Sequence, residues 1–263
     1  MIALIVGEAR RFIDLDESLE ASIKQLVRAI ITRQYQRLGW KEKVGESASD
    51  EKLRATIIGL GAYADEPDII KKSLALFKLY QKSADAVPSE LRSIVFSVPV
   101  KKQVPGALTY LLELHDSTAN SDLKSDICAA ACATHSDTEA ALLLKRLKDP
   151  KLVKPQDADR WLVQLIRNRY VKQVGWSWMV ENWSWLEETY KQDNSYDMLP
   201  RYAAGACNTQ HWAKTYKKFF EPKMDQVVLK RNIAMGLEEI DSRVTWLERD
   251  HAVVKKFLTT YIT

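Results

Sequence analysis

Apolar residues recur every three or four positions along almost the entire chain, the period of helices with one buried face. Leu19, Ile23, Leu26, Val27, Ile30, Ile31, Tyr35 and Leu38 form a wide apolar stripe between the acidic stretch Asp14–Asp16, which can cap a helix, and Gly39, a C-terminal stop. Residues 40–48 read as a loop, and a helix is predicted over about 49–64. Asp65-Glu66-Pro67 is then a restart, an acidic cap with proline in the first turn. The helix it opens carries Ile69, Ile70, Leu74, Phe77 and Tyr80. Pro88 opens the next, through Leu91, Ile94, Val95 and Val98. Further helices are predicted over 103–116, with Pro105 in the first turn, and over the alanine-rich 121–134. Ser136-Asp137-Thr138-Glu139 has capping-box spacing ahead of a leucine-rich helix that Asp149-Pro150 ends. Helices over 155–169, 171–191, 196–208 and 210–220 follow, Pro222 breaks the pattern, and two last helices span 224–248 and 250–261. The β-branched run Val95–Val100 sits in helical context and holds Pro99, so no strand is expected.

About a dozen helices of 10–25 residues on short loops make the chain all-α. Helix pairs of 30–40 residues form either a compact bundle or an α-solenoid of paired antiparallel helices. The regular alternation of medium helices and capped turns favours the solenoid. No linker interrupts it, so residues 1–263 are expected to be a single domain.

Within this pattern the stretch 175–190 stands out, since four of the eight tryptophans fall there. Trp176, Met179, Trp183 and Leu186 share one helical face, and Trp178 and Trp185 line an adjoining one. Aromatics on two faces predict a helix wedged between neighbours, with Trp176 and Trp183 as core.

The totals narrow the function classes. A net charge of +4, from 39 basic and 35 acidic residues, is too small to indicate nucleic acid. The lysine pairs at 71–72, 101–102 and 217–218 are scattered, and Glu181, Glu187 and Glu188 interleave the tryptophans, so no nucleic-acid partner is expected. No apolar run reaches membrane-span length, so no membrane is expected either. Residues 1–6 are apolar but lack a basic n-region, and they read as the end of a helix that begins further upstream. Three cysteines give no disulfide framework and favour a reducing compartment, the cytoplasm. Cys128 and Cys132 are expected as small buried residues.

The search for chemistry is negative. His115, His135, His211 and His251 are isolated, with no His-Glu-x-x-His. Gly59-Leu60-Gly61 lacks the Lys-Ser/Thr of a phosphate loop, and there is no Gly-x-Ser-x-Gly elbow. Glu187–Glu188 and Glu238–Glu239 read as solvated helix faces. No catalytic, cofactor-binding or metal-binding residue is assigned, and no substrate-binding residue is named.

Several stretches nevertheless agree, in order, with one family. They are Leu38-Gly39-Trp40, Gly45-Glu46-Ser47 and Leu53-Arg54; then Pro88, Leu91, Arg92 and Phe96; then Gln156-Asp157 and Asn168; then Gly175-Trp176, Asn182-Trp183 and Leu186; and last Phe219-Phe220 and Trp246-Leu247. On these the chain resembles, from about residue 20 to its end, the C-terminal helical domain of M1-family zinc aminopeptidases, of the aminopeptidase N and ER-aminopeptidase type. Val171-Lys172 stand where the family often has Gly-Arg, so no role of that arginine is carried over. Met179-Val180-Glu181-Asn182 is superficially like the family's Gly-x-Met-Glu-Asn substrate motif, but it belongs to the tryptophan pattern.

The resemblance implies a HEAT-like solenoid shaped as a bowl that covers the catalytic domain of the same polypeptide and encloses a peptide chamber. The partners it implies are that catalytic domain and the peptides in the chamber. It places zinc and the catalytic residues in preceding domains absent here, so this chain holds no cofactor and is inactive alone. An apolar surface at residues 1–13 is expected where earlier helices would pack. The alternative is a stand-alone helical-repeat protein-binding scaffold, which needs a polar first helix; Met1–Val6 is apolar.

Overall fold

The helical period is realised as fourteen α-helices in the computed structural model, which describes residues 1–190 and 194–261; no strand occurs among the described residues. The chain divides into two compact units, residues 1–130 with 251–263, and residues 131–250.

In the first unit, α1 (Ile2–Arg11) leads through a 3₁₀ turn into α2 (Leu19–Leu38). Asp16 Oδ1 accepts from the Ser18 backbone N–H at 3.0 Å in the turn before α2, but the N-cap is Ser18, with no side-chain capping bond, so the expected acidic cap does not form. Gly39 stops α2 at φ 59°. Next come α3 (Ala48–Tyr63), α4 (Pro67–Tyr80), α5 (Ser89–Lys101), α6 (Ala107–Ser117) and α7 (Ser121–Ala131). Helices α2 and α3 pack together, as do α4 and α5, and α5 also packs on α3 and α6. Short loops returning each helix to its predecessor make these the neighbour pairs of a helical-repeat stack. Phe77, Tyr80, Phe96 and Tyr110 meet edge to face between α4, α5 and α6, with centroids 4.8–6.0 Å apart. Helix α6 begins later than its period suggests. Gln103 and Gly106 take positive φ, so Pro105 lies in a turn and not in the first helical turn. At the N-terminus, Met1, Leu4 and Ile5 are exposed, whereas Val6, Phe12 and Ile13 are buried. The expected apolar surface is therefore confined to the first five residues.

In the second unit, α8 (Asp137–Arg146), α9 (Pro155–Arg167), α10 (Lys172–Glu181), α11 (Trp183–Tyr190), α12 (Asn194–Ala204) and α13 (Gln210–Phe220) follow in turn. Helix α10 packs on α8 and α9, and α12 packs on α9 and α11. The expected single helix over 171–191 is two helices, broken at Asn182; Lys191, its expected end, lies outside the described residues. Conversely, the two helices expected over 224–248 and 250–261 are one, α14 (Val227–Tyr261). The polar run Glu248-Arg249-Asp250 has no glycine or proline, so nothing in the backbone interrupts the i→i−4 bonds there.

Candidate functional site

The residues able to carry chemistry are dispersed. His115 is buried, with Nδ1 3.3 Å from Asp116 Oδ1. His135 stacks on Tyr170, His211 meets Trp212 edge to face, and His251 Nε2 lies 3.5 Å from Asp16 Oδ2. Cys128, Cys132 and Cys207 form no disulfide and are buried, as small core residues. Among the described residues, no three His, Cys, Asp or Glu side chains gather where they could hold a metal. Among the described residues, no helix is long and apolar enough to cross a membrane.

Glu187, expected on a solvated face, instead takes part in a tyrosine network. The Tyr196 hydroxyl lies 3.0 Å from Glu187 Oε1 and 2.9 Å from Gln226 Oε1. Burial, with the Glu187 carboxylate beside it, pushes the Tyr196 phenol up. Glu239 likewise pairs with Arg201, at 2.9 Å. Lys101 is a perturbed cation. Burial, with the charge of Arg10 added, lowers its ammonium to about 8.

The motif residues singled out in the sequence each hold the fold. Gly45 supplies a positive φ, Ser47 Oγ accepts from Asp50 N–H at 3.2 Å to cap α3, and Glu46 ion-pairs with the buried Arg54. Arg92 Nε donates to Asp126 at 2.9 Å. Asn168 Nδ2 donates to the carbonyls of Cys132 (2.9 Å) and Thr134 (2.6 Å), while its Oδ1 accepts from Tyr170 N–H at 3.2 Å. Asn182 Nδ2 donates to the Trp178 carbonyl at 2.7 Å, and the Asn182 carbonyl accepts from Leu186 N–H, so one residue closes α10 and opens α11. Gly175 lets α10 approach α9, since a Cβ there would stand 3.1 Å from the Ile166 backbone nitrogen. Trp176 and Trp183 are buried, as predicted, against Phe219 and Phe220, with centroids 5.3–6.3 Å apart.

The second tryptophan line has a different setting. Trp178 and Trp185 are only partly buried and meet edge to face at 5.8 Å. Trp178 borders a groove of about 510 Å³ between α8 and α10. Its apolar wall is Ala141, Leu144, Val174 and Trp178; its polar rim is Lys145, Lys148, Gln173, Ser177, Glu181 and Asn182. The two walls are helical stripes, 141–144–145 on one side, continued by Lys148 in the turn after α8, and 173–174–177–178–181 on the other. Lys148 Nζ lies 5.8 Å from the Trp185 ring centroid, and neither Lys145 nor Lys148 has an ion-pair partner among the described residues. The groove was missed in the sequence because its walls come from helices about thirty residues apart. The available signal was the doubled aromatic face, whose outer half has no core to enter.

A family model described as "ERAP1-like C-terminal domain" matches residues 1–242. Aminopeptidase N of Lactococcus lactis subsp. cremoris (strain MG1363) is 31% identical over 260 residues, which cover 98% of this chain and 31% of that protein. Aminopeptidase N of Lactobacillus helveticus is 29% identical over 249 residues, 94% of this chain and 30% of that protein. Endoplasmic reticulum aminopeptidase 2 of Bos taurus is 25% identical over 262 residues, 97% and 26% of the two chains. The chain thus spans less than a third of the length of these relatives.

Proposed function

We propose, since this chain belongs to the ERAP1-like C-terminal domain family, that it is the C-terminal helical domain of an M1-type zinc aminopeptidase, one domain over residues 1–263. In this reading it covers the catalytic domain of the same polypeptide and encloses the chamber in which short peptides lose their N-terminal residue. The observation that carries the reading is the family match over residues 1–242, joined to relatives named aminopeptidase that are about three times longer. The engagement of Glu46, Arg54, Asn168, Asn182, Trp176 and Trp183 in packing and capping supports a scaffolding role. The described residues do not fit a zinc ion, since no donor set gathers among them. We therefore assign no step of peptide hydrolysis to these residues; zinc and the groups that work with it belong to the preceding domains. The domain contributes shape, walls that exclude water and a closing surface. The exposed Met1, Leu4 and Ile5 are read as surface for packing against the rest of that polypeptide. Three buried cysteines that form no disulfide favour a cytoplasmic parent.

The test is metal analysis of the isolated 263-residue chain together with hydrolysis of a fluorogenic aminoacyl amide. The expected result is no bound zinc and no turnover. Stoichiometric zinc with turnover by this chain alone overturns the reading. So does a native reading frame with no His-Glu-x-x-His sequence upstream of the region, which favours the stand-alone scaffold.

A further inference from the structure

We infer that the groove between α8 and α10 is a docking site for an acidic–apolar peptide segment, an aliphatic or aromatic residue flanked by Asp or Glu. Three features lead to this occupant. The volume of about 510 Å³ falls within the roughly 300–1,000 Å³ of ligand clefts. Val174 and Trp178 leave half-buried apolar surface along the groove, whose floor is the buried Leu144, and Trp178 is only partly buried although it belongs to the tryptophan cluster. The rim carries two exposed lysines without ion-pair partners, Lys145 and Lys148, so the charge missing from the groove is negative.

The chemistry follows from that lining. An apolar side chain fills the space beside Trp178, and its flanking carboxylates pair with Lys145 and Lys148. Glu181, the one carboxylate on the rim, repels an acidic side chain at its own position and accepts a backbone N–H, which sets the direction of the segment. Gln173 Nε2 already donates to Ser177 Oγ at 3.0 Å, and Asn182 is committed to the Trp178 carbonyl, so specificity rests on the lysines and the indole. The inference stands apart from the proposed peptidase role, because it concerns a surface of this chain alone.

The test titrates the full 263-residue chain with acetyl-Glu-Leu-Glu-amide while following the tryptophan indole N–H signals by NMR. Both ends of the probe are capped, so only side-chain carboxylates are present. Saturable movement of the Trp178 signal at millimolar peptide is expected. It should weaken with added salt, and acetyl-Lys-Leu-Lys-amide should produce none. The double variant Lys145→Glu/Lys148→Glu, whose changes lie on the exposed rim, should keep the wild-type melt and bind about tenfold more weakly. Equal binding of the basic peptide, binding indifferent to the charge reversal, or no movement with wild type would each overturn the inference. Self-association of the chain that the charge reversal abolishes would also overturn it, by assigning the groove to a second copy.

Discussion

Replacing Trp183 by alanine removes the ring on which the second unit's aromatic core closes. Trp183 is only 7% exposed. Its centroid lies 5.3 Å from Phe219, 5.4 Å from Phe220 and 5.7 Å from Tyr196. A buried aromatic removes about 150–250 Å² from water. At about 25 cal/mol per Å² that corresponds to roughly 4–6 kcal/mol. Partial collapse of the surrounding rings onto the vacated space reduces the expected loss to about 3–5 kcal/mol. Trp183→Phe is the informative companion. The buried Trp183 indole N–H makes no hydrogen bond of good geometry and has only a weak contact with the Tyr196 hydroxyl, which is unfavourable by about 1–3 kcal/mol. Phenylalanine sheds that donor while losing roughly 1 kcal/mol of apolar burial, so it should be close to neutral. The assay is urea unfolding followed by circular dichroism and tryptophan fluorescence, fitted for more than one transition because the chain has two compact units. If Trp183→Ala were as stable as wild type, the burial argument would fail. If Trp183→Phe lost as much as Trp183→Ala, the indole N–H would be making a bond worth keeping.

Two further predictions concern backbone packing and pH. Gly175→Ala should destabilise by about 1–2 kcal/mol, since the added methyl meets the Ile166 nitrogen and Leu165 carbonyl carbon at 3.1–3.2 Å, and backbone yields less than a side chain; this overpacking outweighs a helix-propensity gain of about 1 kcal/mol. A thermal melt showing a rise in Tm would mean that α9 and α10 can separate without loss. Lys101, with its ammonium lowered to about 8 against an ordinary 10.5, binds fewer protons when folded than when unfolded between those values. Stability should therefore rise by roughly 1 kcal/mol from pH 8 to 9. The tyrosine phenols raised from 10.0 oppose the trend once the unfolded chain begins to ionise near pH 10, above that window. Lys101→Met should abolish the rise and stabilise the protein at pH 7; denaturant midpoints across pH measure both, and an unchanged slope in the variant would show that another group titrates.

What the sequence determined by itself is local. Apolar period, proline placement and capping residues act within one or two turns, so Ser47 on α3, Ser136 on α8, Thr209 on α13 and Pro67 on α4 stand where their types predict. Even so, the details shift as soon as a third residue enters. The Ser136 capping box is only half formed, because the Glu139 carboxylate bonds the Thr134 hydroxyl, which in turn accepts from Ser136 N–H at 3.0 Å. The ordered motifs were legible too, and they carried the family. Their meaning was decided by tertiary structure, since Asn168 reaches carbonyls 34 and 36 positions away and no local rule selects those acceptors. Packing also broke the tryptophan helix at Asn182. It sent Trp176 and Trp183 into the core and left Trp178 on a groove. On an isolated helix the two tryptophan lines look alike; only the neighbours against which a face is pressed determine which one is withdrawn from water.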